Sequence, residues 1–277
     1  MIIQTQAIVL QIRPWSQTSH MVTWLTPDHG KVVTAVKGAC RPKSAFLGQY
    51  DLFYTCDLLF YRREHDGVHA IRECAPSVLR EPLRKRWRHT AVAAYLADLT
   101  ARVTVIHQED AALFSLLTHA LDRLAAAPDS DPREVMIRYE ALLLRLLGFM
   151  PDLTTCPICH PPERPWLRFS LPSGRFLCPH LAKIQTGEAA LSLHRSVRDL
   201  FLDVARSEFG AFADNAAGPY ASNKNTAEAN LLLGLSRFLG MFITFHLDVP
   251  SAVRRVTLEM LDTTPTQKPA LLENSQP

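Results

Sequence analysis

With 277 residues, 47% of them hydrophobic and 21% charged, the chain is long enough to bury two ordinary cores, and its balance excludes a collagen-like, coiled-coil or largely disordered protein. Its net charge of +3 conceals an asymmetry: residues 1–90 carry 13 lysines and arginines against 7 acids, while the remainder carries 17 against 20. The start Met1-Ile2-Ile3-Gln4-Thr5-Gln6 lacks a basic, apolar and cleavable leader, and no apolar run reaches the ~18 residues of a membrane span. The expectation is a protein of the cytoplasm with no membrane partner.

Residues 5–75 read as five short β-patterned runs, 5–12, 20–26, 31–37, 50–61 and 68–74, punctuated by Gly30, Gly38, Gly48 and Gly67. In the fourth run Leu52, Tyr54, Cys56, Leu58 and Phe60 alternate with more polar neighbours, as a half-buried strand requires. Five strands with one apolar face suit a small closed barrel of the OB type, which leaves no free edge, better than a sandwich of about seven strands. A domain spanning 1–80 follows.

The third run leads into a glycine turn crowded with cations: Lys31, Lys37, Arg41 and Lys43, followed by Ser44, with no acid between Gly30 and Ser44. Period-two geometry places Lys31, Val33, Ala35 and Lys37 on one strand face. Such a cluster suits phosphates, and a solvated hairpin tip has the same composition. Trp24, Phe46, Phe53, Tyr54, Phe60 and Tyr61 supply rings on which bases stack, although most aromatics of a small barrel fill its core.

From residue 81 the period becomes 3.6. Val92, Tyr95, Leu96, Leu99 and Val103 mark a helix over 81–103, and Arg84, Lys85, Arg86 and Arg88 crowd its start. Cations there oppose the helix dipole, which points to an anionic partner outside the helix. A second helix covers 108–126. A third, over 132–147, opens on Asp131 as N-cap, Pro132 at the first helical position and Glu134 near the capping-box position, and is ended by Gly148. Its run from Leu142 to Leu147 is apolar almost all round, as in the centre of a bundle. Further helices are expected over 188–208, 224–247 and 250–261, so the helical domain comprises 81–149 and 188–261, with a frayed tail over 262–277.

The segment 150–187 interrupts the helices. Cys156-Pro157-Ile158-Cys159 has the C-x-x-C spacing of a zinc knuckle, and Cys178-Pro179-His180 follows a hairpin-like stretch. A zinc ribbon normally repeats C-x-x-C, but Leu181 stands at the expected second position. His180 or His160 is then the fourth ligand of a structural zinc, or the ribbon is degenerate and packs without metal. The other cysteines, Cys40, Cys56 and Cys74, read as small apolar fillers.

No Walker loop, G-x-G-x-x-G, G-x-S-x-G or H-E-x-x-H occurs, so the chain does not read as an enzyme. On the first two helices, Arg102 and Arg123 among Leu99, Val103, Leu117 and Leu121 form a candidate groove for an acidic, apolar peptide; ordinary bundle core with solvated arginines is the other reading.

Ala7-Ile8-Val9-Leu10, Thr26-Pro27-Asp28-His29-Gly30-Lys31, and Val36-Lys37-Gly38-Ala39 with Arg41-Pro42-Lys43-Ser44 resemble the bacterial DNA repair protein RecO family, as does the order of barrel, bundle, cysteine ribbon after Leu147-Gly148-Phe149, and further helices. The resemblance covers about residues 3–261. It implies an α+β multidomain protein: an N-terminal five-stranded OB-type barrel, then a mainly α-helical domain with an inserted zinc-ribbon-like hairpin. It also implies a mediator that binds single- and double-stranded DNA, anneals complementary strands, and works with RecR and the C-terminal tail of the single-strand-binding protein to load RecA. The residues it assigns to DNA are Lys31, Lys37, Arg41, Lys43 and Ser44, and to the ribbon Cys156, Cys159 and Cys178. Two other readings stand beside it: an RNA- or transcription-associated OB-and-ribbon binder, and a hydrolase with an unrecognised site.

Overall fold

The computed structural model describes residues 1–63, 67–106, 108–126, 131–153, 165–177, 190–207 and 226–263. Alternation builds the barrel. In β1 (Ile2–Ser16), Ile3, Thr5 and Ala7 point inward and Gln4 and Gln6 outward. From Ala7 to Leu10 every residue is buried, because this part of the strand is covered on both faces: Ala7 and Val9 face the barrel interior, whereas Ile8 and Leu10 pack into the helical core.

β2 (Ser19–Thr26), β3 (Gly30–Val36), β4 (Thr55–Tyr61) and β5 (Val68–Val78) complete a closed barrel of order β1-β2-β3-β5-β4. Only β3 and β5 run parallel, with Val33 opposite Val68. Three expected spans move, among them the fifth strand, which runs on to Val78 rather than ending at residue 74. β1 runs on to Ser16, and the fourth strand begins at Thr55 rather than at residue 50, because 38–49 is wound into successive turns: Arg41, Ser44 and Leu47 each donate a backbone N–H to the carbonyl three residues back.

The first helix is broken in two. A 3₁₀ turn (Glu81–Lys85) follows Arg80, whose φ of 50° is left-handed, and α1 (Trp87–Val103) starts afresh beyond it. α2 (Ala111–Ala126) and α3 (Pro132–Leu146) follow, the latter capped by Asp131, whose side chain accepts from the N–H of Arg133 at 3.0 Å. Leu142, Leu143 and Leu144 are all buried, each contributing about 1.5–3 kcal/mol of transfer free energy, so α3 is the bundle centre.

Where a helix was expected from residue 188, the chain instead forms a strand. β6 (Trp166–Ser170) is flanked by β7 (Arg175–Leu177) and β8 (Ala190–His194) in an antiparallel sheet of order β7-β6-β8. The helix α4 (Arg195–Arg206) begins only after His194, whose Nδ1 accepts from the N–H of Ser196. α5 (Thr226–His246) and α6 (Ser251–Asp262) close the chain. The window Ala229–His246 is long and apolar enough to cross a membrane, with a mean hydropathy of 1.2. One face of it lies in the core, where Leu235, Phe238, Leu239, Phe242 and Ile243 are buried with Phe238 edge-on to Phe169 and Phe201, while Met241 and Phe245 are exposed.

The polar centre of the bundle is Glu140 of α3, fully buried. Arg254 of α6 grips it in two bonds, Nε to Oε1 at 2.7 Å and a terminal nitrogen to Oε2 at 2.9 Å, and also donates to the Ser236 carbonyl. Tyr95 of α1 donates to the same carboxylate at 2.6 Å. Burial and the neighbouring carboxylate hold the Tyr95 hydroxyl well above its ordinary pKa, so it remains a donor. Gly240 leaves the room: a Cβ there would lie 2.5 Å from the Arg254 guanidinium.

Candidate nucleic-acid interface

The β1–β2 hairpin tip and the loop after β3 meet at one end of the barrel. The Gly38 N–H donates to Ser19 Oγ at 3.2 Å and the Cys40 N–H to the Thr18 carbonyl at 3.1 Å, so the loop is docked on the hairpin. Gly38 has a φ of 69°, and the aliphatic stem of Arg41 lies across it, within 3.4 Å of where a Cβ would stand. Between them opens a cleft of about 530 Å³ lined by Trp15, Ser16, Thr18, Ser19, Lys37, Gly38 and Arg41.

This cleft is basic, aromatic and open. Its Lys37 and Arg41, and Lys43 further along the loop, are exposed and form no ion pair with a described residue, and Arg13 is exposed on the strand leading to Trp15. The Trp15 ring is 51% exposed. Ser44 serves the turn: its Oγ accepts from the Phe46 N–H at 3.2 Å. Below the loop, His20 Nδ1 is 2.8 Å from the Tyr50 hydroxyl, whose pKa burial, with Cys40 and Cys74 nearby, pushes up to about 12.

Other residues expected at the interface are committed elsewhere. Lys31 reaches across to α1, where Nζ donates to the Ala101 carbonyl at 2.7 Å, rather than standing free beside Lys37. A cation at that helix end complements the dipole, and burial lowers the Lys31 pKa. Gly30, at φ 57°, is pressed against the helical domain so closely that a Cβ would fall 1.9 Å from the Gln108 carbonyl oxygen. Much of the Thr26–Lys31 motif thus forms a domain junction.

The basic start of the helical region divides similarly. Arg84 pairs with Asp51 at 2.6 Å, donates to the Tyr54 hydroxyl and lies over its ring. Arg86 donates to the Ala125 carbonyl at 3.2 Å, and Arg88 to the Thr263 carbonyl while stacking on Trp87. Of the four, only Lys85 is exposed with no such contact. These arginines tie the barrel, α2 and the end of α6 together, which explains why cations stand at a helix start.

Arg80, counted at first as one more basic residue, is the junction's anchor. It is buried, pairs with Asp122 at 2.7 Å and donates to the Phe53 carbonyl and Thr55 Oγ1; burial lowers its pKa. Trp24 is buried too, its Nε1 donating to Thr34 Oγ1. The ring the sequence reading missed is Trp15, and a signal was there: it stands between Pro14 and Ser16, outside any apolar alternation.

The expected peptide groove does not open where Arg102 and Arg123 stand. Leu99, Leu117 and Leu121 are fully buried bundle core, Val103 packs against them, and Arg102 is held by Asp98 at 2.7 Å, a hydrogen bond that raises its pKa. The four candidate zinc ligands, Cys156, Cys159, Cys178 and His180, lie outside the described residues. Among the described residues no group of three histidine, cysteine or acidic side chains is placed to hold a metal.

Fold and site together define an OB-barrel protein fused to a helical bundle, with an open tryptophan beside cations that pair with no described residue. Its residues 1–78 match the family model for the Recombination protein O N terminal, and residues 84–255 that for the Recombination protein O C terminal. The chain belongs to the RecO family of DNA repair and recombination proteins. Among its relatives, the DNA repair protein RecO of Moorella thermoacetica is 30% identical over 156 residues, 56% of this chain and 57% of that protein. Those of Alkaliphilus metalliredigens and Bacillus mycoides are 29% and 26% identical, over 64% and 81% of this chain and 71% and 96% of theirs.

Proposed function

We propose that this chain is a non-enzymatic recombination mediator that binds single- and double-stranded DNA at the barrel end around Trp15, Lys37, Arg41 and Lys43 and anneals complementary strands in the cytoplasm, at the nucleoid. The observation that carries the reading is the docked loop, which presents Lys37 and Arg41, neither ion-paired with a described residue, beside an open indole, with Lys43 exposed further along the loop. Neutralising phosphates lowers the repulsion between strands, and rings without a groove-reading element give affinity without sequence preference. With RecR it helps load RecA on DNA coated by the single-strand-binding protein, whose C-terminal tail docks on the helical domain. Cys156, Cys159 and Cys178 with His180 hold a structural zinc, a donor set of thiolates and imidazole that suits that ion.

Single-strand binding measured against salt tests the reading. Each phosphate contact adds about −0.7 to the slope of log K against log salt, so Lys37→Ala with Arg41→Ala and Lys43→Ala flattens it by about two units. An unchanged slope in a folded triple variant removes the loop from the interface.

A further inference from the structure

A second surface carries the same chemistry on another element. The sheet β7-β6-β8 turns Phe169 and Leu193 onto the helical core, with Phe169 5.2 Å from Phe238. Its other face is set by register: Trp166 stands opposite His194, Arg168 opposite Ser192, and Ser170 opposite Arg175. Trp166 is 62% exposed, more than any other tryptophan of the chain, with its ring edge-on to His194 at 5.0 Å. Arg168 and Arg175 are exposed and form no ion pair with a described residue. Among the described acids nearby, Asp199 pairs with Arg195 and Arg198 on α4, and Asp152 meets Arg175 only through a backbone bridge at the outer strand.

We infer that this sheet face is a second binding site for single-stranded nucleic acid, with Trp166 as the stacking platform and Arg168 and Arg175 as phosphate contacts. Successive residues on one strand face are about 7 Å apart, so Trp166 and Arg168 address a base and its neighbouring phosphate along an extended strand. Charge selects the occupant: cations beside an open indole suit a polyanion that carries rings, where an apolar partner would be left facing two desolvated arginines. The inference rests on the proposed function in one respect, that the barrel holds the first strand. Two sites on one chain then bring two strands together at high effective concentration without a second protomer.

Tryptophan emission isolates the site. In the full chain with Trp15→Phe and Trp87→Phe, buried Trp24 and open Trp166 are the remaining indoles. Titration with a dT oligomer should quench Trp166, and adding Arg168→Gln with Arg175→Gln should weaken that response and reduce its salt slope by about 1.4. Anisotropy of a labelled oligomer reports binding at either site. Saturable anisotropy with unchanged Trp166 emission would overturn the second site and leave the barrel reading intact; silence in both would overturn the two together. A response to polyglutamate equal to that to dT would mark the face as one for acidic protein segments, which also overturns the assignment.

Discussion

A lysine or arginine is available to a ligand only if the fold has not already used it. Lys31 and Arg84, Arg86 and Arg88 look from the sequence like Lys37, Arg41 and Lys43, yet the first four reach carbonyls or carboxylates elsewhere in the chain. The distinction was illegible because each partner is distant in sequence, Ala101 for Lys31 and Thr263 for Arg88. Lys37, Arg41 and Lys43 were legible because a local glycine turn sets them out. Lys31→Ala or Gly30→Ala should therefore destabilise the protein, the latter by at least about 1–2 kcal/mol for the left-handed backbone alone, while the salt slope of DNA binding stays at the wild-type value. A flattened slope in folded Lys31→Ala would return this lysine to the interface. Trp15→Ala should weaken single-strand binding by about 1–3 kcal/mol, read by titration at fixed salt.

Strands and helices were largely readable from period and punctuation, and the failures have physical causes. The barrel's alternation, the Asp131-Pro132 helix start and the Gly148 stop depend on neighbours in sequence. β8 was read as helix because Ala190–His194 pairs with β6, a partner more than twenty residues away. Glu140 went unnoticed within an apolar helix because its partner Arg254 lies on α6. Burial works against the Arg254 charge, and Glu140 more than offsets it, holding the guanidinium above its ordinary pKa. Glu140→Ala leaves that cation buried and unpaired, and urea unfolding should show a loss of about 3–5 kcal/mol. Replacing both Glu140 and Arg254 with leucine should cost less than the single change; an equal or larger cost would mean that the pair contributes packing alone. The cysteine element lies outside the described residues, so its prediction is compositional: protein purified without chelator should hold about one zinc per chain, and below about 0.2 the ribbon is degenerate.

At the scale of the molecule, the barrel and the bundle share a core. Ile8, Leu10, Leu25 and Phe53 belong to the apolar cluster of the helices, and Arg80–Asp122 and Lys31–Ala101 cross the same junction. The sequence shows two periods and so two domains, but it cannot show that β1 is covered on both faces. Thermal unfolding should be one cooperative transition, and a fragment ending at residue 80 should aggregate, since it bares that apolar strip. The sharing also fixes the Trp15 cleft relative to the helices. The most direct test of the account is the rate at which the full chain anneals complementary strands coated with single-strand-binding protein, compared between wild type and the Lys37→Ala, Arg41→Ala, Lys43→Ala variant. The account predicts acceleration by wild type and its loss, by about tenfold or more at moderate salt, in a variant of unchanged fold, since two units of salt slope carry at least that much affinity. Equal acceleration by both proteins would contradict it.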